Sequence, residues 1–200
     1  IGEEFGDKIG TNSTGKLAAC LHRLGFAKVF DNNFGADLTI MEEANEFVRR
    51  FSSNSANPML TSCCPGWINY IELNYPELVP HLSSCKSPQQ MMGAILKSYY
   101  AEKTGIDRSK IAVVSIVPCT AKKFERKRPE MKTDELEDID VVLTTRELGQ
   151  LVRRSGIIWN RLPKEDFDHD LIGENSGAGV IFGVTGGVME AALRTVYEKI

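Results

Sequence analysis

The sequence predicts an α/β fold in which largely parallel sheets are flanked by helices. Three continuous apolar runs rich in β-branched residues, at 111–117, 139–143 and 179–182, are typical of strands buried on both faces. Helical patterns separate these runs, and strands that alternate with helices favour a parallel sheet. A short apolar stretch at 28–30 is a fourth strand candidate.

The predicted helices carry recognisable start and stop signals. Pro65 suits the first turn of a helix, and two capping boxes, in which a Ser or Thr N-cap precedes a Gln or Glu three residues later, mark two more starts. These boxes are Ser87 with Gln90 and Thr144 with Glu147. The helices are predicted at 13–24 (followed by Gly25), 37–51, 65 to about 74, 87 to about 103, 145 to about 156, and 188–200. The charged stretch 126–138 is predicted to be a surface loop.

The helix at 37–51 has the clearest amphipathic pattern. Its apolar stripe is predicted to consist of Leu38, Met41, Ala44, Val48 and Phe51. Glu43, Glu46 and Arg50 form a line off this stripe, because they are spaced at i, i+3 and i+7. On the residues alone, this line is better explained as a solvated face with ion pairs.

Composition excludes several classes of protein. Apolar residues make up 42% of the chain and charged residues 26%, which is ordinary for a globular protein. The net charge of -3 gives no reason to expect a nucleic acid or an anionic membrane as partner. No apolar run approaches the roughly 18 residues of a membrane span. The five cysteines are an odd number with two adjacent, so we expect free or metal-bound thiols in a reducing, cytoplasmic environment.

The motif TSCCPGW at 61–67 is the strongest chemical signal. Cys63 and Cys64 stand just before Pro65, at the start of a predicted helix. Free N–H groups and the helix dipole there favour thiolates, so lowered pKa values are expected, and thiolates bind iron. Two small buried apolar residues are an equally good explanation on the residues alone.

The motif VPCTAKKFE at 117–125 places a further cysteine after a predicted strand. Cys119 follows the 111–117 run, and ligand sites of α/β sheets lie beyond the carboxyl ends of strands. Taken alone, a buried cysteine and a surface Lys122 would be the simpler explanation. Together with the first motif, the arrangement raises the possibility that Cys64 and Cys119 share one cluster.

At these motifs a family resemblance becomes specific. TSCCPGW, VPCTAKKFE and FGVTGGVMEAALRT resemble three blocks of the catalytic domain of iron-only ([FeFe]) hydrogenases, and GADLTIMEEANEF, KSPQQM and DVVLTTREL fit the same family in order and spacing. The resemblance covers essentially all 200 residues. It implies two lobes around a buried metal-cluster cleft and the reaction 2H⁺ + 2e⁻ ⇌ H₂.

The resemblance also implies a cofactor, the H-cluster. This is a [4Fe–4S] cubane on four cysteines, one of which bridges to a two-iron unit that carries CO, cyanide and a dithiolate. Cys64 and Cys119 match two of the cubane ligands, and the other two are expected beyond Ile200. Lys122 matches a lysine that hydrogen-bonds an iron-bound cyanide. Residues that match positions packed near the cluster are Gln89, Phe182 and Gly183.

A proton route is implied by the same resemblance. In the family, a carboxylate line matched by Glu43, Glu46 and Arg50 carries protons from the surface, through a serine matched by Ser83. The route ends at the thiol matched by Cys63, which passes protons to the two-iron unit. This reverses the solvated-face interpretation of the helix line.

Several expectations concern the whole protein. We expect residues 1–200 to be part of a longer catalytic domain truncated at both ends, and inactive alone. The expected electron partner is a ferredoxin or a nicotinamide-linked subunit. Val117 stands where the family commonly has Met, which puts normal activity in doubt. An H₂-sensing regulatory homologue and a hydrogenase-like iron–sulfur assembly protein remain as alternatives, although Cys63, Glu43 and Glu46 count against the second.

Overall fold

The computed structural model describes residues 1–53, 55 and 58–199, with only the backbone described for residue 199. Its α-helices are α1 Thr14–Arg23, α2 Asn33–Ser52, α3 Pro65–Asn74, α4 Pro88–Ile95, α5 Ala101–Thr104, α6 Ala121–Glu125, α7 Thr145–Arg154 and α8 Gly187–Lys199. A π-helical segment, Leu96–Tyr100, joins α4 to α5. The strands are β1 Val114–Val117, β2 Lys132–Thr133, β3 Leu136–Glu137 and β4 Val141–Thr144. Within the described ranges, no helix is both long and apolar enough to cross a membrane.

The α/β fold class is confirmed, and its central pair of strands is parallel. β1 and β4 pair in register from Val114 opposite Val141 to Val117 opposite Thr144. Among the described residues β1 pairs only with β4, and Val114, Ser115 and Ile116 of β1 line a cavity of about 480 Å³ together with Gln89. A run typical of a strand buried on both faces therefore forms an edge strand among the described residues.

Two predicted strands are absent from the described structure, because a carboxylate distant in sequence binds the backbone of each segment. At 28–30, the Val29 N–H donates to the Asp168 carboxylate at 2.8 Å, so the backbone is paired with a side chain. At 179–182, the chain forms a 3-10 helix, Ala178–Gly183. Its start is held by Asp37, which accepts the Gly179 N–H at 2.8 Å, and Gly179 packs tightly on α2. The other two strands form but are shorter than predicted, because the Asp140 carboxylate accepts the Val113 N–H at 2.6 Å.

The predicted apolar stripe of α2 is wrong at Met41 and Phe51, although Ala44 is fully buried as predicted. Met41 and Phe51 are 45% and 68% exposed, while Ile40 and Glu43 are almost fully buried. The helix packs against α4, α8 and the 3-10 helix Ala178–Gly183 together. These partners cover a wide face, so polar residues on it become buried.

Of the two capping boxes, one is confirmed. Thr144 Oγ1 accepts the Glu147 N–H at 3.2 Å, and the Glu147 carboxylate accepts the Thr144 N–H at 2.8 Å. The box at Ser87 is wrong, because the Ser87 hydroxyl donates to Glu125 and the Gln90 side chain finds no hydrogen-bond partner among the described residues.

The charged stretch 126–138 is more than a surface loop. β2 and β3 form a short antiparallel hairpin in it, turned by Asp134 and Glu135 at positive φ. Asp138 is fully buried, where it accepts hydrogen bonds from Lys86 at 2.5 Å and Thr133 at 2.7 Å. A charged residue in this charged stretch is therefore buried in the folded protein.

A small apolar cluster lies beneath the first cysteine motif. Its buried members are Ile40, Val188 and Ala191, from α2 and α8. Cys63 and Phe182 pack against the same cluster. The fold thus brings together residues that lie more than a hundred positions apart in the chain.

Candidate functional site

The two adjacent cysteines begin α3 in different environments. Cys64 is the N-cap, and its Sγ accepts the Trp67 N–H at 3.4 Å. Its side chain is exposed, whereas Cys63 is half-buried against the apolar cluster. Pro65 fixes the start of α3 at this point, because it occupies the first helical position and its fixed φ angle suits a helix. Two neighbouring thiols are therefore available for two different tasks.

Cys119 and Lys122 approach this pair from the end of the parallel sheet. Cys119 is exposed and lies two residues beyond β1, as predicted. The Lys122 Nζ donates to the Cys63 carbonyl at 2.7 Å, which joins the two cysteine motifs. This contact brings the segment after β1 against the backbone of the first cysteine motif.

A buried polar network holds Lys122 in place. Its Nζ also donates to Glu125 at 3.2 Å, and Glu125 is only 1% exposed. The Glu125 Oε2 accepts further hydrogen bonds from Ser87 at 2.9 Å and Gln89 at 2.7 Å. The Gln89 Oε1 accepts the Ser115 hydroxyl at 2.8 Å.

Sequence reasoning placed Gln89 and Lys122 at the site but missed Glu125 and Ser87. The signal for Glu125 was its position three residues after Lys122, a spacing that makes ion pairs on a helix. Ser87 was assigned to capping, which hid its real partner. Glu125, Ser87 and Gln89 together support the lysine that faces the Cys63 carbonyl.

Phe182 and Gly183 approach from the side of α8. Phe182 packs on the cluster that also contacts Cys63. Gly183 is exposed, and a Cβ built there would meet nothing within 4 Å. There is accordingly open space beside Gly183.

Glu46 lies at the centre of a second polar group, on α2. It is 5% exposed and accepts hydrogen bonds from Arg50 at 2.6 Å and from the Ser83 hydroxyl at 2.9 Å. The Ser84 N–H donates to both carboxylate oxygens, at 3.2 and 3.0 Å. Burial alone would raise the pKa of Glu46, but Ser83, Arg50 and Ser84 outweigh it and lower that pKa.

Arg50 connects this group to the exterior. Its guanidinium donates to the carbonyl oxygens of Pro80, His81 and Leu82 at 3.2, 3.3 and 2.7 Å. The arginine is thereby held against the segment that leads to Ser83. Glu46 and Arg50 therefore join α2 to the segment 80–84. The interpretation of this line as a solvated face is wrong for Glu43 and Glu46.

Glu43 is the unusual member of the line. It is 1% exposed, and neither carboxylate oxygen has a hydrogen-bond partner among the described residues. Burial raises the pKa of Glu43 most, and the charge of Glu46 raises it further. The Ser83 hydroxyl and the Ser62 N–H lower this pKa only in part, since neither meets the geometry of a hydrogen bond to Glu43. Two carboxyl groups one helical turn apart thus have pKa values displaced in opposite directions.

The expected low pKa of Cys63 is wrong. Burial raises the pKa of its thiol, and the nearby Glu43 charge adds to the rise, which Lys122 counteracts only in part. Desolvation beside a carboxylate outweighs the effect of the helix start. The raised pKa favours the protonated form of the Cys63 thiol, which can donate a hydrogen bond.

The donor set at this site fits an iron–sulfur group. Cys64 and Cys119 are free, exposed thiols whose segments touch through Lys122, and soft sulfur ligands select iron–sulfur clusters. The lysine charge suits an anionic group. In the described part of the chain, no three Cys, His, Asp or Glu side chains gather as a metal site. The assignment of Cys64 and Cys119 as two ligands of a four-cysteine set therefore stays a prediction.

Comparison with known proteins gives consistent matches. The family model for the iron-only hydrogenase large subunit, C-terminal domain, matches residues 1–200. The NADP-reducing hydrogenase subunit HndD of Solidesulfovibrio fructosivorans is 54% identical, over 99% of this chain and 35% of its own length. The periplasmic [Fe] hydrogenase large subunit of Nitratidesulfovibrio vulgaris is 50% identical, over 100% of this chain and 48% of its own. The chain thus spans between about a third and a half of these relatives.

A solved structure and a more distant relative complete the comparison. A variant of an [FeFe]-hydrogenase from Chlamydomonas reinhardtii has a TM-score of 0.86 and 50% identity, over 98% of this chain and 49% of its own. The cytosolic iron-sulfur assembly component 3 of Bos taurus is 36% identical over 79% of this chain and 35% of its own. From the family match over its whole length, the chain belongs to the iron-only hydrogenase large subunit family, in the region of the C-terminal domain.

Proposed function

We propose that this chain is part of a longer protein that catalyses 2H⁺ + 2e⁻ ⇌ H₂ at an H-cluster. The observation that carries the proposal is the line of buried polar groups formed by Glu46, Ser83 and Glu43, with Cys63 beyond it. Glu46 and Ser83 are in hydrogen-bond contact at 2.9 Å, and the Glu43 charge acts on the Cys63 thiol. Such a line is costly to bury unless it serves the chemistry at its inner end.

Cys64 and Cys119 would hold the cubane, and the remaining cysteines would come from the rest of the protein. Lys122 would offer its ammonium group to an anionic ligand of the two-iron unit while Glu125 and the Cys63 carbonyl hold it in position. Gln89, Phe182 and Gly183 would shape the surrounding pocket. When bound, the cluster would supply the redox centre at which electrons from the partner, protons and H₂ interconvert.

The chain's own residues then deliver protons. Arg50 and Ser84 keep Glu46 in its acceptor form, so that this carboxylate can take a proton from the exterior. Ser83 can accept and donate in turn, because a hydroxyl does both. Glu43, whose pKa is raised, holds a proton readily, and the Cys63 thiol is the last donor in the line.

Partners and location follow from the relatives and the thiols. We propose a ferredoxin or a nicotinamide-linked subunit as the electron partner, since one relative is named as NADP-reducing. The five cysteines are all free, which supports a reducing, cytoplasmic location. The periplasmic relative makes cell fractionation the direct test, and recovery in the periplasm would contradict this location.

A role in iron–sulfur assembly is the second candidate. The 36% identity to the bovine iron–sulfur assembly component, over 79% of this chain, favours this role. The higher identity of 54% to a hydrogenase subunit favours the enzyme. An assembly protein has no need of a buried proton line.

The test uses the full-length protein, purified anaerobically and loaded with the H-cluster. We expect H₂ evolution from reduced methyl viologen and uptake with oxidised viologen. The matched control is Cys63→Ala, which should retain its iron and lose turnover. A fully loaded protein that neither evolves nor consumes H₂ would overturn the enzymatic proposal and leave the assembly role.

A further inference from the structure

The Glu46 carboxylate has one polar contact, with Cys85, that is not part of the proposed proton route. The segment 83–85 wraps around the Glu46 carboxylate, and its last residue is Cys85. The Cys85 Sγ lies 3.6 Å from the Glu46 Oε2, a hydrogen-bond distance for the large sulfur atom. Cys85 is half-buried and forms no disulfide.

Cys85 also makes two main-chain contacts that link both halves of the site. Its N–H donates to the Ser83 Oγ at 3.1 Å, and its carbonyl accepts the Ser62 hydroxyl at 2.8 Å. The first contact occupies a lone pair of the Ser83 oxygen, so the hydroxyl proton is directed at Glu46. The second ties the segment to the residue that precedes Cys63.

We propose that Cys85 is a positioning residue, whose thiol and N–H hold Glu46 in the ionised form and keep the Ser83 hydroxyl donating to it. Its effect on turnover rests on the proposed function of Glu46 as a proton carrier. The thiol adds a donor to a carboxylate that already accepts from Arg50, Ser83 and Ser84. Each donor favours the ionised carboxylate.

The protonation of Cys85 itself supports the donor role. Burial, with the charges of Glu43 and Glu46, raises the pKa of the Cys85 thiol to about 12, against a smaller opposing effect of Ser83. The thiol therefore keeps its proton throughout the working range. The charged and titratable groups that face Glu46 are Glu43 and Arg50 on α2 and Cys85 on the adjoining segment. A weak thiol donor can favour the ionised form of such a carboxylate without replacing its other hydrogen-bond partners.

The experiment follows Glu46 directly, by pH-difference infrared spectroscopy of the full-length protein with Glu46→Gln as the subtraction blank. Cys85→Ala should raise the midpoint of Glu46 by about half a unit, roughly a threefold change in its ionisation constant. Cys85→Ser, which restores a donor, should keep the midpoint at or below that of the wild type. Cys20→Ala is the matched control, because it removes a buried thiol from a different core cluster.

A second readout needs no Cys85 variant to fold. The S–H stretch of Cys85 should move to higher frequency in Glu46→Gln, because the amide is a weaker acceptor than a carboxylate. An unmoved band, or a Glu46 midpoint in Cys85→Ala equal to that of the wild type, would overturn the inference. If the midpoint moves while the pH profile of H₂ turnover does not, the coupling of Cys85 to Glu46 stands and the proton-carrier role of Glu46 is refuted.

Discussion

Replacing Glu43 by leucine should stabilise the apoprotein, whereas replacing Glu46 by leucine should destabilise it. The two residues lie one turn apart on α2 and are almost equally buried. They differ in their partners. Glu43 has no hydrogen-bond partner among the described residues, and Glu46 accepts from Arg50, Ser83 and Ser84.

The expected magnitudes follow from that difference. A buried polar group without a partner costs about 1–3 kcal/mol, so Glu43→Leu, at similar volume, should gain at least about 1 kcal/mol. Removing one member of a buried ion pair costs about 3–5 kcal/mol. Arg50 would still reach three carbonyl oxygens, so Glu46→Leu should lose about 3 kcal/mol, the lower end of that range.

The pH dependence has opposite signs at the two sites. The pKa of Glu43 is raised, so its contribution to stability falls as the pH rises above the ordinary value of 4.5, and the gain from Glu43→Leu should widen. The pKa of Glu46 is lowered, so its contribution is present above 4.5 and is lost as the pH falls. The loss in Glu46→Leu should therefore shrink in acid.

Urea unfolding of the full-length apoprotein, followed by tryptophan fluorescence, measures both effects. Glu42→Leu is the control, since Glu42 is exposed on the same helix and should change stability by less than about 0.5 kcal/mol. A loss in Glu43→Leu as large as that in Glu46→Leu would refute the reasoning from unpaired oxygens.

Three further predictions concern other parts of the chain. Cys64→Ala should lose cluster iron and Cys63→Ala should keep it, by iron analysis of the loaded protein; equal loss would contradict their division of roles. His22 is held between two carboxylates that raise its pKa, so the stability lost in His22→Ala should be largest below about pH 6.5 and vanish as the pH rises; a loss that grows with pH contradicts this. Gly93→Ala would place a Cβ 2.8 Å from the Asp138 carbonyl carbon and should lower the unfolding free energy by about 1–3 kcal/mol, whereas an unchanged denaturation midpoint would show that the backbone yields.

Elements specified by local chemistry were predictable from the sequence. α3 begins at Pro65 and ends at Asn74 as predicted, and the Thr144 capping box forms with both of its hydrogen bonds. Proline geometry and capping act within a few residues, so no tertiary information is needed. α8 also occurs where expected, although Ile200, its predicted last residue, lies outside the described residues.

Features set by tertiary contacts were not predictable in the same way. The 179–182 run has strand composition, yet Asp37 accepts the Gly179 N–H and the run forms a 3-10 helix. Periodicity placed Glu43 and Glu46 off the apolar stripe, but three packed neighbours bury that face of α2. The helix start predicted a low pKa for Cys63, and burial beside Glu43 reversed it. In each case the deciding group is distant in sequence.

The buried line on α2 is proposed to deliver protons to the catalytic centre. H₂ evolution by loaded, full-length Glu46→Gln tests it most directly, because the amide keeps the shape and hydrogen-bonding capacity of the carboxylate but does not titrate. We predict a fall of about 100-fold or more, the usual contribution of a positioned acid–base group, with Glu42→Gln within about twofold of the wild type. A Glu46→Gln enzyme that stays within about twofold, less than about 0.5 kcal/mol in barrier, would contradict the account.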